Sequence, residues 1–182
     1  MSEKREKMDA RTRSVQEQET KAHRLHALTQ RVGFALWQLQ ELEGASAQYF
    51  VLVCQATPGM GEDSGRALVD KAKSKTFGAT ITQLAKAKRL APDTQTRFQT
   101  LLAERNWLVH HSRADSRDAI HNENAFHAVV QRLDNIAEAA HQLVKNVSAH
   151  AKAFVQDHGV SLANIEELAA QTLKTWHGDA SG

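Results

Sequence analysis

The spacing of apolar side chains divides the chain into helical segments. From His23 to about residue 56, apolar residues recur at steps of three or four, which predicts an amphipathic helix of roughly 35 residues carrying Leu25, Leu28, Val32, Leu36, Leu39, Leu42, Phe50 and Val53. A second series with this period spans 123–157, and Gly159 follows it as a helix-ending residue. No segment alternates apolar and polar residues over the length of a strand. We therefore predict an all-α, up-and-down helical bundle with two long helices.

Shorter helices are predicted between the two long ones. The segment TPGMGEDSG at 57–65 predicts a loop, and two helices follow it at about 64–75 and 79–90. Pro92 suits the first turn of the next helix, which ends near His111. The polar segment SRADSRDAIHNEN at 112–124 is predicted to be a connection. Ser161 is the expected N-cap of a last helix, which carries Leu162, Ile165, Leu168 and Trp176.

Three parts of the chain follow from the ends of this pattern. Residues 1–20 are a polar extension of mixed charge, either disordered or the frayed start of a helix. Residues 21–158 form the bundle, and 159–182 form the C-terminal helix and tail. A single cysteine excludes an internal disulfide, and the N-terminus lacks the apolar stretch of a secretory signal. We expect a cytoplasmic protein without a membrane segment and without a cofactor.

Charge is distributed unevenly although the net charge is only +2. Between residues 66 and 97, Asp70 and Asp93 are the acidic residues that oppose eight basic ones, namely Arg66, Lys71, Lys73, Lys75, Lys86, Lys88, Arg89 and Arg97. Such a patch can attract a polyanion. Lysines are equally the ordinary solvated residues of helices, so both interpretations stay open.

The segment LLAERNWLVHHSRAD at 101–115 places polar residues where a helix needs apolar ones. Arg105 lies four residues after Leu101 and three before Leu108, and Asn106 follows it, so we predict both in the apolar stripe. A buried guanidinium costs several kcal/mol unless it is paired. The stripe is therefore an interface, or the arginine meets a specific anion, or it pairs with an acidic residue of another helix such as Glu43.

The order Arg105, Asn106, three further residues and then His110 resembles the signature of the HEPN superfamily. In that signature an arginine, usually followed by a polar residue, is separated from a histidine by four to six intervening residues, and four lie between Arg105 and His110. The longer stretch KTFGATITQLAKAKRLAPDTQTRFQTLLAERNWLVHH is similar to the layout of one bacterial HEPN-like group, and the resemblance covers roughly 23–157. It implies a helical bundle that dimerises about a two-fold axis, with the two motif copies facing each other in one cleft.

The resemblance also implies an activity. Active HEPN proteins are metal-independent endoribonucleases, often toxins or antiviral effectors, whereas inactive relatives bind RNA, nucleotides or proteins. On this basis we expect Arg105 to stabilise phosphate charge and His110 to transfer protons during attack by the 2′-hydroxyl. Asn106 then orients His110 or holds a phosphate oxygen. His111 is a second proton carrier or a spectator.

Partners and further site residues complete these expectations. The RNA-binding candidates are Lys86, Lys88, Arg89, Trp107 and Arg113; Trp107 is placed to stack a base, to pack in a dimer interface or to complete the core. The ten histidines include no His-x3-His pair, so we expect no metal site. Expected partners are RNA, a second copy of the chain, and a cognate antitoxin or partner subunit. The alternative is a non-catalytic module that binds RNA or nucleotide, or serves as a helical adaptor.

Overall fold

The computed structural model describes residues 2–177, without the side chains of 2–7, 10, 162, 165, 172, 173 and 175–177. About 87% of the chain is helical, and the described residues contain no strand, which confirms the predicted all-α bundle. The described residues form seven helices: α1 Ser2–Cys54, α2 Glu62–Lys73, α3 Phe77–Lys86, α4 Pro92–His110, α5 Ser112–His121, α6 Glu123–Asp157 and α7 Leu162–His177.

The two long helices lie side by side and run in the same direction. Arg24 of α1 is 3.9 Å from Glu123 at the start of α6, and Arg31 is 3.3 Å from Asp134 further along. Residue numbers therefore rise together along the two helices. An even number of reversals separates them, because α2 returns along α1, α3 turns back, and α4 with α5 returns again.

Helices α4 and α5 run antiparallel to the two long helices. Glu104 of α4 pairs with Arg132, which lies in the third turn of α6, at a distance of 2.7 Å. Ile120, near the end of α5, accepts a hydrogen bond at its carbonyl from Arg24, close to the start of α6. The motif segment is thus carried along one side of the bundle, beside both α1 and α6.

Apolar residues at helical spacing form a single core. Its fully buried large side chains come from α1, α3, α4 and α6: Leu28, Leu39, Leu42, Leu84, Phe98, Leu101, Leu133 and Leu143. The rings of Phe77 and Phe98 meet edge to face, with centroids 5.9 Å apart. Leu25 and Leu36 of the predicted α1 stripe remain exposed along one edge. Most of the stripe is buried as predicted, at Leu28, Leu39, Leu42, Phe50 and Val53.

Helix bounds agree with the prediction for α6 and for α7, which begins at Leu162 after the predicted N-cap Ser161, and they differ at the start of α1. Gly159 has φ +83°, the left-handed geometry of a residue that ends a helix. Residues 2–20 belong to α1 rather than to a disordered extension, and their described side chains, from Met8 onward, are all exposed. In α7, Leu168 is exposed; the side chains of Leu162, Ile165 and Trp176, and the tail at 178–182, lie outside the described residues.

The predicted connection at 112–124 is wrong, because Ser112–His121 forms helix α5. Its buried positions are Ser112 and Ala119, a polar and a small residue, so no apolar stripe marks it in the sequence. The Ser112 hydroxyl donates to the carbonyl of Leu108. Asn122 then caps α6 by accepting from the backbone N–H of Ala125.

Within residues 2–177, no helix is both long enough and apolar enough to cross a bilayer.

Candidate functional site

The motif residues occupy the last two turns of α4 and the residue that follows. Asn106, His110 and His111 are exposed, and the Arg105 side chain is 35% exposed. The predicted position of Asn106 in the apolar stripe is wrong. Successive helical residues are rotated by about 100°, so Arg105 stays at the rim of the buried stripe while Asn106 turns to the outer side, which it shares with His110.

Arg105 reaches a carboxylate of α1. Its Nε donates to Oε1 of Glu43 at 3.4 Å, and the two side chains are 35% and 33% exposed. Glu43 was predicted from the sequence as one of the alternative partners of Arg105, and that contact is confirmed. Because the pair is long and partly solvated, it contributes at most about 1 kcal/mol. A partly exposed guanidinium also escapes the cost of a buried charge, so the fold does not require this pair.

Arg105 and His110 leave the helix in different directions. His110 follows Arg105 by five positions, which corresponds to a rotation of about 140° around the helix axis. The outer side is shared instead by Asn106 and His110, four residues apart. Within one chain, therefore, the arginine faces α1 and the histidine faces solvent.

The two histidines mark the corner between α4 and α5. Their rings are 6.4 Å apart, with planes at 70°. His111 is the single residue between the helices, with φ −122° and ψ −22°. Among the described residues, neither imidazole has a hydrogen-bond or ion-pair partner. Both rings are therefore accessible to a ligand.

Trp107 belongs to the protein interior and not to an open surface. It is 8% exposed, and its Nε1 donates to Oδ2 of Asp115 at 2.7 Å. The guanidinium of Arg132 lies 3.7 Å from the ring centroid and binds Glu104 through Nε and Nη2, at 2.7 and 3.2 Å. Packing is thus its role. A base could stack on Trp107 only after Arg132 moved away. This corrects the expectation that Trp107 is an RNA-binding residue.

The remaining basic candidates separate into two groups. Lys86, Lys88 and Arg89 are exposed at the end of α3 and in the turn that follows it, and Lys86 lines a pocket with Gln95 and Gln99 of the first half of α4. They lie toward the start of α4 whereas the motif lies at its end, and their contact with RNA stays a prediction. Arg113, by contrast, is exposed in the first turn of α5, next to the histidine corner.

Arg89 lies beside two groups that can ionise at alkaline pH. Tyr49 donates from its hydroxyl to the Arg89 carbonyl at 3.2 Å. Burial raises the pKa of the Tyr49 phenol and the pKa of the Cys54 thiol, and the positive charge of Arg89 opposes both shifts. The Cys54 thiol therefore stays protonated at neutral pH.

Sequence reasoning missed the chain of contacts that joins Glu104, Arg132, Trp107 and Asp115, and it missed Arg117. Had α5 been predicted, the four-residue spacing of Arg113 and Arg117 would have placed them on one helix face. The described residues contain no cluster of three or more His, Cys, Asp or Glu side chains suited to a metal ion. No protein-family model, curated protein sequence or solved structure matches the chain.

Proposed function

We propose that the protein is a metal-independent endoribonuclease that acts as a homodimer. The observation that carries this proposal is the open cluster at the end of α4: a partly exposed Arg105, with Asn106, His110 and His111 exposed. An arginine and an unpartnered imidazole are the groups that phosphodiester cleavage needs in the absence of a metal.

The chemistry assigns a different task to each side chain. A histidine near neutral pH accepts the proton of the 2′-hydroxyl or supplies one to the departing 5′-oxygen. The guanidinium offers paired donors to phosphate oxygens as their negative charge grows. Cleavage then leaves a 2′,3′-cyclic phosphate on one fragment and a 5′-hydroxyl on the other. Asn106, on the same side of α4 as His110, orients the imidazole or binds a phosphate oxygen.

The divergence of Arg105 and His110 supports a dimer. Because they point about 140° apart, one phosphate contacts an arginine and a histidine most readily when two chains contribute. A two-fold interface also brings two histidines together, one for each proton transfer. Exposed Val109, between the two motif residues, offers apolar area for such an interface.

One contact favours a second candidate function, a non-catalytic RNA-binding module. Arg105 already has a carboxylate partner in Glu43. If that pair persists with RNA bound, the guanidinium is not available to the phosphate, and the site binds without cleaving. A role as a toxin or antiviral effector in the cytoplasm, with an antitoxin or partner subunit, belongs to the proposal on the strength of the motif resemblance.

Product analysis tests the proposal. Purified protein is incubated with a 5′-labelled RNA in EDTA, and the new ends are identified by enzymatic treatment. We expect fragments whose 3′ ends resist ligation until the cyclic phosphate is opened and the resulting phosphate is removed, with unchanged rates in EDTA. Fragments with 3′-hydroxyl ends, or activity that EDTA abolishes, would contradict this mechanism.

A further inference from the structure

A groove between α1 and α5 lies next to the motif, and we call it the α1–α5 groove. It encloses about 350 Å³, and its lining contains two arginines and no carboxylate. The residues of the lining are Leu25, Leu28, Thr29, Val32, Ser112, Arg113, Ser116, Arg117 and Ile120. An apolar floor with a positive rim and no acidic side chain is suited to an anion that also carries an apolar surface.

The positive rim is not neutralised by the rest of α5. Arg113 and Arg117 are exposed, and among the described residues neither has an ion-pair or hydrogen-bond partner. Asp115 is engaged with the indole of Trp107. Asp118 is five residues from Arg113, about 140° around the helix. Both acidic residues of α5 therefore lie away from the groove.

One edge of α1 leads from the groove toward the motif. Leu25, Val32, Leu36 and Glu43 follow at steps of seven, four and seven residues, which keeps them on one side of a helix. Glu43, the last of these residues along α1, contacts Arg105. The helical rise places Val32 about 16 Å from Glu43. Exposed Leu36 lies between them, so no charged residue of this edge interrupts the path.

We propose that the α1–α5 groove binds one strand of the RNA substrate next to the cleavage site. Arg113 and Arg117 contact successive phosphates, and a nucleobase packs on the apolar floor formed by Leu25, Val32 and Ile120. This inference rests on the proposed function for the identity of the substrate. A volume of about 350 Å³ admits a group of nucleotide size but not a duplex or a protein helix. The strand in the groove is therefore single.

The test separates binding from cleavage. Binding of hexauridylate is measured by fluorescence anisotropy over a range of salt concentrations, in the His110→Ala protein so that the RNA stays intact. The double variant Arg113→Gln/Arg117→Gln removes the rim charges. The control Lys145→Gln/Lys152→Gln removes two charges from exposed positions of α6, outside the groove. Leu25→Ala removes part of the floor from an exposed position.

The two kinds of variant should act differently. Each phosphate contact on a single strand contributes about 0.7 to the salt slope, so loss of both arginines should lower it by about 1.4 and weaken binding about tenfold or more. The Lys145/Lys152 control should keep the slope. Leu25→Ala should weaken binding with the slope unchanged, because it removes an apolar contact and no charge.

Several results would overturn the groove site. An unchanged slope in the Arg113/Arg117 variant would remove it, even if the wild type cleaves RNA. Equal affinity for hexauridylate and for inorganic polyphosphate of matched charge would remove the base contact. Arginine-dependent binding of an extended acidic peptide such as hexaglutamate, without RNA binding, would assign the groove to a protein partner. Conversely, arginine-dependent RNA binding without any cleavage by the wild type would support the groove and contradict the ribonuclease.

Discussion

The guanidinium of Arg132 lies 3.7 Å from the centre of the Trp107 ring, and this contact connects α6 to the helix that carries the motif. The same arginine holds Glu104 with two nitrogen atoms, and the indole N–H of Trp107 holds Asp115 of α5. Three helices are thus fixed around the corner at which the two histidines emerge. The side of α4 that carries Trp107 makes structural contacts with α5 and α6, whereas the side that carries Asn106 and His110 is exposed.

Trp107 should therefore be important for stability. Trp107→Ala should lower the free energy of unfolding by about 3–5 kcal/mol, because it leaves a cavity and removes the ring against which Arg132 packs. Trp107→Phe should cost less, since it keeps most of the ring and loses the N–H donor. Urea denaturation followed by circular dichroism measures both. Trp37 is 63% exposed and provides the control; equal losses for Trp37→Ala and Trp107→Ala would contradict the packing described here.

The ion pair between Arg105 and Glu43 should matter little for stability. Glu43→Gln should change the free energy of unfolding by less than about 1 kcal/mol, because both side chains are about one-third exposed. The same change removes the carboxylate that competes with phosphate for the guanidinium, so RNA affinity should rise. A drop of several kcal/mol in Glu43→Gln and in Arg105→Ala would instead make the pair a structural one.

The long helices could be predicted from sequence because their apolar residues recur regularly over 35 residues or more. The start of α6 at Glu123 and the turn at Gly159 follow from the same pattern and from capping residues. Helix α5 could not, since its buried positions are a serine and an alanine. The hydrogen bond from Ser112 to the Leu108 carbonyl is a local contact that a serine can make to the residue four positions before it, so it does not distinguish the start of α5 in the sequence.

The candidate site was predictable in its residues but not in its directions. Arg105 lies at the rim of the predicted stripe rather than within it, and its contact with Glu43 was one of the alternatives considered. The burial of Trp107 depends on α5 and α6 covering the side of α4 away from the main stripe. Completion of the core was one of the alternatives considered for Trp107, but since α5 was not predicted, neither its contact with Asp115 nor the groove beside Arg113 could be deduced from the sequence.

Assembly is a further test, since the proposed site needs two chains. The protein should sediment as a dimer of about twice 20.2 kDa at micromolar concentration. Val109 is 48% exposed on α4 beside the motif, so Val109→Asp should produce a monomer without cleavage activity. Val160, 42% exposed after α6, provides a matched control. A monomeric wild type, or equal effects of Val109→Asp and Val160→Asp, would contradict a dimer at the motif.

Alkaline pH should expose the environment of Cys54. Burial holds the pKa of this thiol above its ordinary value while Arg89 opposes the rise, so alkylation should accelerate at a higher pH than for a free cysteine. Arg89→Gln should move that midpoint higher still. Because the folded state retains its proton longer than the unfolded state, Cys54 and Tyr49 should both lower stability as pH rises beyond their ordinary pKa values. A midpoint that falls in Arg89→Gln would contradict the placement of Arg89.

The most direct test compares cleavage of total RNA, in EDTA, by wild-type protein and by the His110→Ala and Arg105→Lys variants. The wild type should cleave. His110→Ala should be slower by about 100- to 10,000-fold, the usual contribution of a general acid or base. Arg105→Lys should also lose most activity, because lysine lacks the planar paired donors. Circular dichroism should show that both variants keep the helical fold. Equal cleavage by wild type and His110→Ala, or no cleavage of any RNA by the wild type, would contradict the ribonuclease and leave the RNA-binding module in its place.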